Sequence, residues 1–332
     1  MKPDYRFWEK LRVQARDEKT PFFVLAPMAD VTDAAFRRMF AKYGKPDVTW
    51  TEFVSADGLC LGGRKVLVRD LEFTEAERPI VAQLFTSTPE HMYEAVKLCR
   101  ELGFDGVDLN MGCPDKSIEK QGSGAAHIKD FANAKAVYEA ALRAASGMPV
   151  SIKTRLGYNK IEADTWIRNL LSLNLPALTV HLRTRKELSL VDAHWDLMPS
   201  IVQMASEVAP ETLIIGNGDI KNIEDGITRV TLAGCDGGMI GRGVFGNPFA
   251  FNPDIDFADF TLPKRFEILL EHTRLFEELL GDIKSFAIMK KHYKAYINNF
   301  DGAKELRTEL MDAKNSDEIE GILGAFLEKQ EM

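Results

Sequence analysis

From about residue 22 to residue 245, short apolar runs rich in Val, Ile and Leu alternate with longer segments whose apolar residues recur at every third and fourth position. The runs are FFVLAPM (22–28), VTWTEFVS (48–55), PIVAQLF (79–85), GVDLNMG (106–112), PVSIKTR (149–155), ALTVHLR (177–183), TLIIGNG (212–218) and GGMIGRG (237–243). They read as strands, and segments such as TPEHMYEAVKLCREL and NAKAVYEAALRAA read as amphipathic helices between them. Eight such units predict an α/β fold, a (β/α)8 TIM barrel rather than an open doubly wound sheet. The link between the second and third strands is the loosest, with Gly62, Gly63 and several charges in it. Near residue 252 the rhythm changes. NPDIDFADFTLP is a turn- and proline-containing linker, and only helical patterns follow it. The expected organisation is an N-terminal helical extension over 1–20 lying on the barrel's exterior, a barrel domain over 21–252, and a bundle of four helices over 253–332.

Composition changes this picture little. With 45% hydrophobic and 28% charged residues the chain suits a globular protein with a sizeable core. The charged opening MKPDYRFWEKLRVQARDEKT has no apolar signal-peptide region, and no run approaches the roughly 20 apolar residues of a membrane span. A cytoplasmic location without membrane contact is expected. Cys60, Cys99, Cys113 and Cys235 form no CxxC pair, which fits reduced thiols, and the six histidines include no HxxxH spacing, so no metal is expected. The formal charge of −8 disfavours a polyanionic partner on average but leaves room for a local basic surface.

Polar and glycine-rich residues gather at the C-terminal ends of the expected strands: Pro27-Met28-Ala29, Gln83, Asn110 with Gly112-Cys113-Pro114, Lys153 with Arg155, His181 with Arg183, Asn217-Gly218-Asp219, and Gly241-Arg242-Gly243. Active sites of such barrels lie at that end, so a single site accounts for all of them. The loops after strands seven and eight commonly hold phosphate. Gly218, Gly241 and Gly243 would let the backbone approach it, and Arg242 would add a charged hydrogen bond. Backbone amides near Ala29, the Gln83 amide and the Lys153 ammonium suit the ring of a planar cofactor. A cation there would stabilise the negative charge of a reduced flavin. Lys153 alone equally fits a Schiff-base lysine on a barrel strand. Cys113 lies in DLNMGCP, where glycine and proline force a turn that presents its side chain. A free thiol with a pKa of about 8.5 is mostly protonated at neutral pH and can donate a proton.

Taken together these segments resemble the dihydrouridine synthase family from about 22 to 315. APMADVTDAAFRRM is similar to its opening motif, EFVSADGL to its second strand, and DLNMGCPDKSIEKQGSGAAHIKD to its catalytic segment; SIKTRLG, HLRTR, IIGNGDI and MIGRGVFGNP follow in the family's order. The resemblance implies a tRNA-dihydrouridine synthase, with FMN bound by Pro27, Met28, Ala29, Gln83, Lys153, His181, Asn217, Gly218, Asp219, Gly241 and Arg242, and NADPH as its reductant. It implies hydride transfer to C6 of a uracil flipped out of tRNA, with Cys113 protonating C5 and Asn110 and Arg155 holding the base. A monomer is implied as well.

The C-terminal segment adds its own indication. Between Ile283 and Phe300 there are four lysines and no acidic residue. On one helix, Phe286, Met289, Tyr293, Tyr296 and Phe300 would share an apolar side. Lys291 and Lys294 would face outward with Lys290 flanking and His292 alongside, a face suited to tRNA phosphates. The chain departs from the family at Leu182, Leu188 and Ser189, where a His-Gly-Arg-Thr sequence and a Gly-Tyr pair are usual. Two alternatives stay open: an FMN barrel acting on a small molecule, as a dihydroorotate dehydrogenase does, and an RNA-binding relative without catalysis.

Overall fold

The computed structural model of the protein describes residues 3–331; Met1, Lys2 and Met332, at the ends of the expected extension and bundle, lie outside the described residues. Eight strands form one parallel sheet: β1 Phe22–Leu25, β2 Thr49–Ser55, β3 Ile80–Phe85, β4 Gly106–Met111, β5 Val150–Arg155, β6 Ala177–His181, β7 Leu213–Asn217 and β8 Gly237–Ile240. Their order is β1-β8-β7-β6-β5-β4-β3-β2. A parallel bridge between Val24 and Val48 joins β1 to β2, so the sheet closes on itself as the expected (β/α)8 barrel. Gly237 opens β8 because a Cβ there would lie 2.6 Å from the Phe22 ring, which fills that space. Helices between the strands start at side-chain caps. Asp33, Asp130 and Asn222 accept the N–H groups of Phe36, Asn133 and Asp225 and satisfy otherwise orphaned donors.

The N-terminal segment forms a helix over Phe7–Arg12 with an extra wider turn to Asp17. It does not lie on the barrel's exterior, where the N-terminal extension was expected, but at the barrel's N-terminal mouth. Phe7, Trp8 and Leu11 are buried in one cluster with the strand-opening residues Phe22, Trp50, Ala177 and Leu213. The Trp8 ring lies 6.0 Å from that of Trp50 and 6.3 Å from that of Phe22. The helix therefore plugs the N-terminal mouth and leaves the C-terminal mouth as the open end. Arg16 fastens it by hydrogen bonds to Asp236 and to the carbonyl of Thr212.

After β8 the chain forms α-helices at Leu262–Leu280, Lys290–Tyr296, Ala303–Leu310 and Ser316–Glu331. Their apolar core includes Phe266, Phe276, Tyr293, Leu306 and Ile319 and continues onto Ala35 and Met39 of the barrel helix Ala34–Tyr43. Among the described residues, no helix is long and apolar enough to cross a membrane.

Candidate active site

A cavity of about 360 Å³ opens at the C-terminal mouth, within the usual range for ligand sites. Of the expected residues, Pro27, Met28, Gln83, Asn110, Cys113, Lys153, Arg155, His181, Asn217, Gly218, Asp219, Gly241 and Arg242 all line it. Ala29 does not; it is exposed beyond the rim. Lys290, Lys291 and Lys294 sit on the helical bundle, outside the cavity.

One wall is a hydrogen-bonded chain running across three strands. Ser151 Oγ on β5 donates to Asp108 Oδ1 on β4 at 2.6 Å, and Gln83 Nε2 on β3 donates to Asp108 Oδ2 at 2.7 Å. Asn110 Nδ2 donates to Gln83 Oε1, and Asn110 Oδ1 accepts the N–H groups of Gly112 and Cys113 at 3.1 and 2.9 Å. Burial pushes the Asp108 carboxyl up to about 6, against the opposing hydrogen bonds of Ser151 and Gln83. Asp108 thus fixes which way the Gln83 and Asn110 amides point, and through Asn110 it fixes the turn that presents Cys113. The sequence reading overlooked it. Its signal was an acid two residues before Asn110, on the same side of a barrel strand.

Cys113 is partly buried beside this chain. Its carbonyl accepts the N–H of Ala125 at 2.9 Å, which folds the following segment back over the turn. Burial raises its thiol pKa against the pull of the Asp115 N–H, Arg155 and Lys153. At neutral pH the group is an S–H donor. Cys99 and Cys235 are buried in apolar surroundings, and Cys60 is exposed away from the cavity.

Cations dominate the far side. Lys153 Nζ has no hydrogen-bond or ion-pair partner among the described residues, and burial, helped by Arg155, lowers its pKa to about 8. Arg155 donates from Nε to the Gly112 carbonyl and from Nη1 to the Thr184 and Leu188 carbonyls, with its pKa lowered to about 10, chiefly by burial. Its Nη2 has no hydrogen-bond partner among the described residues. Burial, then Arg155 and Lys153, hold His181 well below its ordinary pKa, so the ring is neutral, and its Nε2 accepts from Arg183 Nη1 at 3.3 Å.

The loops after β7 and β8 meet at Asp219. Its carboxylate accepts from Arg183 Nη2, from the Ala193 N–H and, at 3.0 Å, from Arg242 Nη2. Asp219 therefore aims two guanidinium groups, and it is the sole acid among the described residues that line the cavity. Gly218 is held at φ +129°, and a Cβ there would meet Ala193 Cβ at 2.7 Å. Its carbonyl accepts from Trp195 Nε1, which keeps the backbone flush with the cavity floor. The arrangement fits a phosphate-bearing planar group: an unpartnered ammonium, two aimed arginines and a backbone with no room for a side chain.

At the departures from the family pattern, Leu182 is buried in the barrel's packing and does not reach the cavity, whereas Leu188 and Ser189 line its wall. Phe53 also lines it, with Phe85 edge-on at 5.9 Å, a neighbour that the strand pattern did not single out.

The closed parallel barrel, the cationic crevice at its C-terminal mouth and the protonated thiol define a cofactor-binding (β/α)8 enzyme. Residues 24–331 match the family model "Dihydrouridine synthase". The probable tRNA-dihydrouridine synthase 2 of Bacillus subtilis (strain 168) is 40% identical over 326 residues, 97% of each chain. The probable tRNA-dihydrouridine synthase of Staphylococcus aureus (strain MRSA252) is 39% identical over 323 residues, covering 96% of this chain and 95% of that one. The chain belongs to the dihydrouridine synthase family, flavin-dependent oxidoreductases that reduce uridine in tRNA. The 6-hydroxypseudooxynicotine amine oxidase of Pseudomonas geniculata N1 shares the fold, with a TM-score of 0.53 and 11% identity over 79% of this chain and 53% of that one.

Proposed function

We propose that this enzyme reduces the C5–C6 double bond of particular tRNA uridines, with FMN as the flavin, NADPH as its reductant and Cys113 as the proton donor. The observation that carries this reading is the single cavity in which the Cys113 thiol, the Asn110 amide and the Lys153 ammonium face the same space. The FMN phosphate would lie against Gly218, Gly241 and Arg242, and the ring between Pro27–Met28 and the Gln83, Lys153 and His181 side chains. The chemistry supplied there is hydride delivery to C6 of a uracil, from a flavin recharged by NADPH.

The chain's own residues do the rest. Asn110 and the free Nη2 of Arg155 would hold the uracil's polar edge. The Cys113 S–H gives its proton to C5 as the hydride reaches C6, so the double bond is consumed and a thiolate remains, to be reprotonated by water. Arg155 and Lys153 stabilise that thiolate. A small-molecule substrate leaves the exposed lysines of the acid-free stretch between Ile283 and Phe300 without a role, and loss of catalysis is hard to square with an intact Cys113 turn. A Schiff-base role for Lys153 would leave the Cys113 thiol and the glycine- and arginine-lined side of the same cavity without a role. A cytosolic, monomeric enzyme goes with this substrate.

The bundle face differs from the expected single helix. The segment breaks into a 3-10 turn, Phe286–Met289, and the helix Lys290–Tyr296. Met289, Tyr293 and Tyr296 are buried as expected, and Lys291 and Lys294 are exposed with Lys290 partly so. His292, however, is fully buried against Phe36, Phe245 and His272, where burial lowers its pKa to about 3, and it takes no part in the face. Lys284 is paired with Glu52 and Asp70. Replacing Lys290, Lys291 and Lys294 by alanine is expected to weaken tRNA binding and to reduce the slope of log K against log salt by roughly two. Titrations over a range of salt concentrations read this directly, and an unchanged slope would remove these lysines from the interface.

The reading predicts that denatured protein releases FMN, and that NADPH bleaches the bound flavin's absorbance under anaerobic conditions until tRNA is added. Protein that neither carries nor takes up FMN would overturn it.

A further inference from the structure

We infer that Leu190 is an apolar wedge that enters the base stack of the RNA beside the uridine being reduced; the inference rests on the tRNA-uridine reading above. Leu190 is 81% exposed, and its neighbours Leu188 and Val191 are each 41% exposed. Leu188 and the adjacent Ser189 line the cavity wall, so the exposed leucine stands at its rim.

The loop that carries it is held firmly. Arg155 Nη1 donates to the Leu188 carbonyl at 3.2 Å and Arg183 Nε to the Val191 carbonyl at 2.6 Å. Both arginines are buried and both line the cavity. The Leu190 N–H donates to the Glu187 carbonyl. Glu187 in turn accepts the Thr184 N–H at 2.7 Å and contacts His194 at 3.1 Å. Leu188 takes a left-handed backbone conformation at φ 53°, which non-glycine residues rarely adopt. The turn is thus fixed to two guanidinium groups of the cavity wall, with an aliphatic side chain at its tip that contributes nothing to the protein's own core.

The occupant follows from the reaction. A uridine in folded RNA reaches the Cys113 thiol only when swung out of its stack, and the stacking it loses must be offset. Proteins that open a stack commonly insert Leu, Ile, Met or Phe into the gap. The faces of the flanking bases supply the apolar contact that Leu190 lacks in water. The exposed Lys186, four residues earlier, and Lys129, 4.4 Å from the Tyr158 ring on the neighbouring loop, can meet the flanking phosphates. Asp192, the exposed carboxylate of the loop, lies beyond the apolar run.

The test compares wild type, Leu190→Ser and Leu190→Met on an unmodified tRNA transcript, with 2-aminopurine placed next to the reduced uridine. Leu190→Ser is expected to lower kcat/KM for the transcript roughly tenfold, the scale of one base-stacking contact. It should also abolish the rise in 2-aminopurine fluorescence on binding, while Leu190→Met keeps both. Melting temperature and the rate of flavin reduction by NADPH should not change in either variant. Wild-type kcat/KM and fluorescence in Leu190→Ser would overturn the wedge, as would an equal loss in flavin reduction, which would indicate damage to the cavity. A wild type that leaves the transcript unreduced overturns the functional reading first, and the wedge with it.

Discussion

Cys113→Ala is expected to slow uridine reduction by about two to four orders of magnitude, the usual contribution of a placed general acid. Flavin content and flavin reduction by NADPH should stay near wild type, because no hydrogen bond that builds the phosphate side uses the thiol. The pH dependence gives a second reading. Proton donation needs the S–H form, and burial raises the Cys113 pKa above its ordinary value. The wild-type rate should therefore hold through neutral pH and fall only as pH climbs past that raised pKa. In Cys113→Ala the residual rate should lack this limb. Single-turnover oxidation of the reduced flavin by tRNA, followed from pH 6 to 10, measures both. Equal rates in the two proteins would move the acid elsewhere.

The second large effect lies far from the chemistry. Lys284, at the start of the lysine-rich segment, donates to Glu52 Oε2 at 2.6 Å and lies 3.1 Å from Asp70. All three side chains are largely buried. Burial alone would lower the lysine's pKa, but Glu52 and Asp70 outweigh it and keep the ammonium charged. Glu52 Oε1 also accepts the N–H of Asp30, at the end of the loop that carries Pro27 and Met28. The bundle is thereby latched to β2 and, through it, to the cofactor loop. Lys284→Met leaves two carboxylates without their counter-charge and is expected to cost about 3 kcal/mol, the lower end for breaking a buried pair. Denaturant unfolding of the whole chain measures it. FMN affinity should fall as well. Lys284→Met combined with Glu52→Gln should recover part of the loss, since the stranded charge is then removed. A single variant within about 0.5 kcal/mol of wild type, the range of ordinary surface changes, would contradict the latch.

These two residues also mark what could be read from the chain and what could not. The eight strands, their parallel order and the cavity were legible because barrel geometry places every strand's C-terminal end at one mouth. Thirteen of the fourteen residues read as cofactor-binding, catalytic or base-holding at those ends line one cavity, from Pro27 to Arg242, with Ala29 exposed and outside the lining. The strands themselves are shorter than the apolar runs. FFVLAPM yields a strand only to Leu25 and GGMIGRG only to Ile240, because the pairing of β1 with β8 ends there and Pro27, Met28, Gly241 and Arg242 lie beyond it, in the loops that line the crevice.

What depended on a partner distant in sequence was not legible. The N-terminal segment read as an exterior helix, and nothing local in it could say that the barrel mouth, through Trp50 and Phe22, would cover Phe7, Trp8 and Leu11. A run of four lysines without acids does not reveal that Lys284 meets Glu52, 232 residues away. Nor does it reveal that His292 faces the barrel helix. Asp108 looked like one more polar strand residue until Gln83 and Ser151 were seen to converge on it.

The central claim is that this chain makes dihydrouridine in tRNA by protonation from Cys113. The most direct test is a position-resolved dihydrouridine map of tRNA from cells that lack the gene, complemented with either wild type or Cys113→Ala. The account predicts that specific dihydrouridines vanish without the gene, return with wild type and stay absent or sharply reduced with Cys113→Ala. An identical map in all of these cells would contradict it.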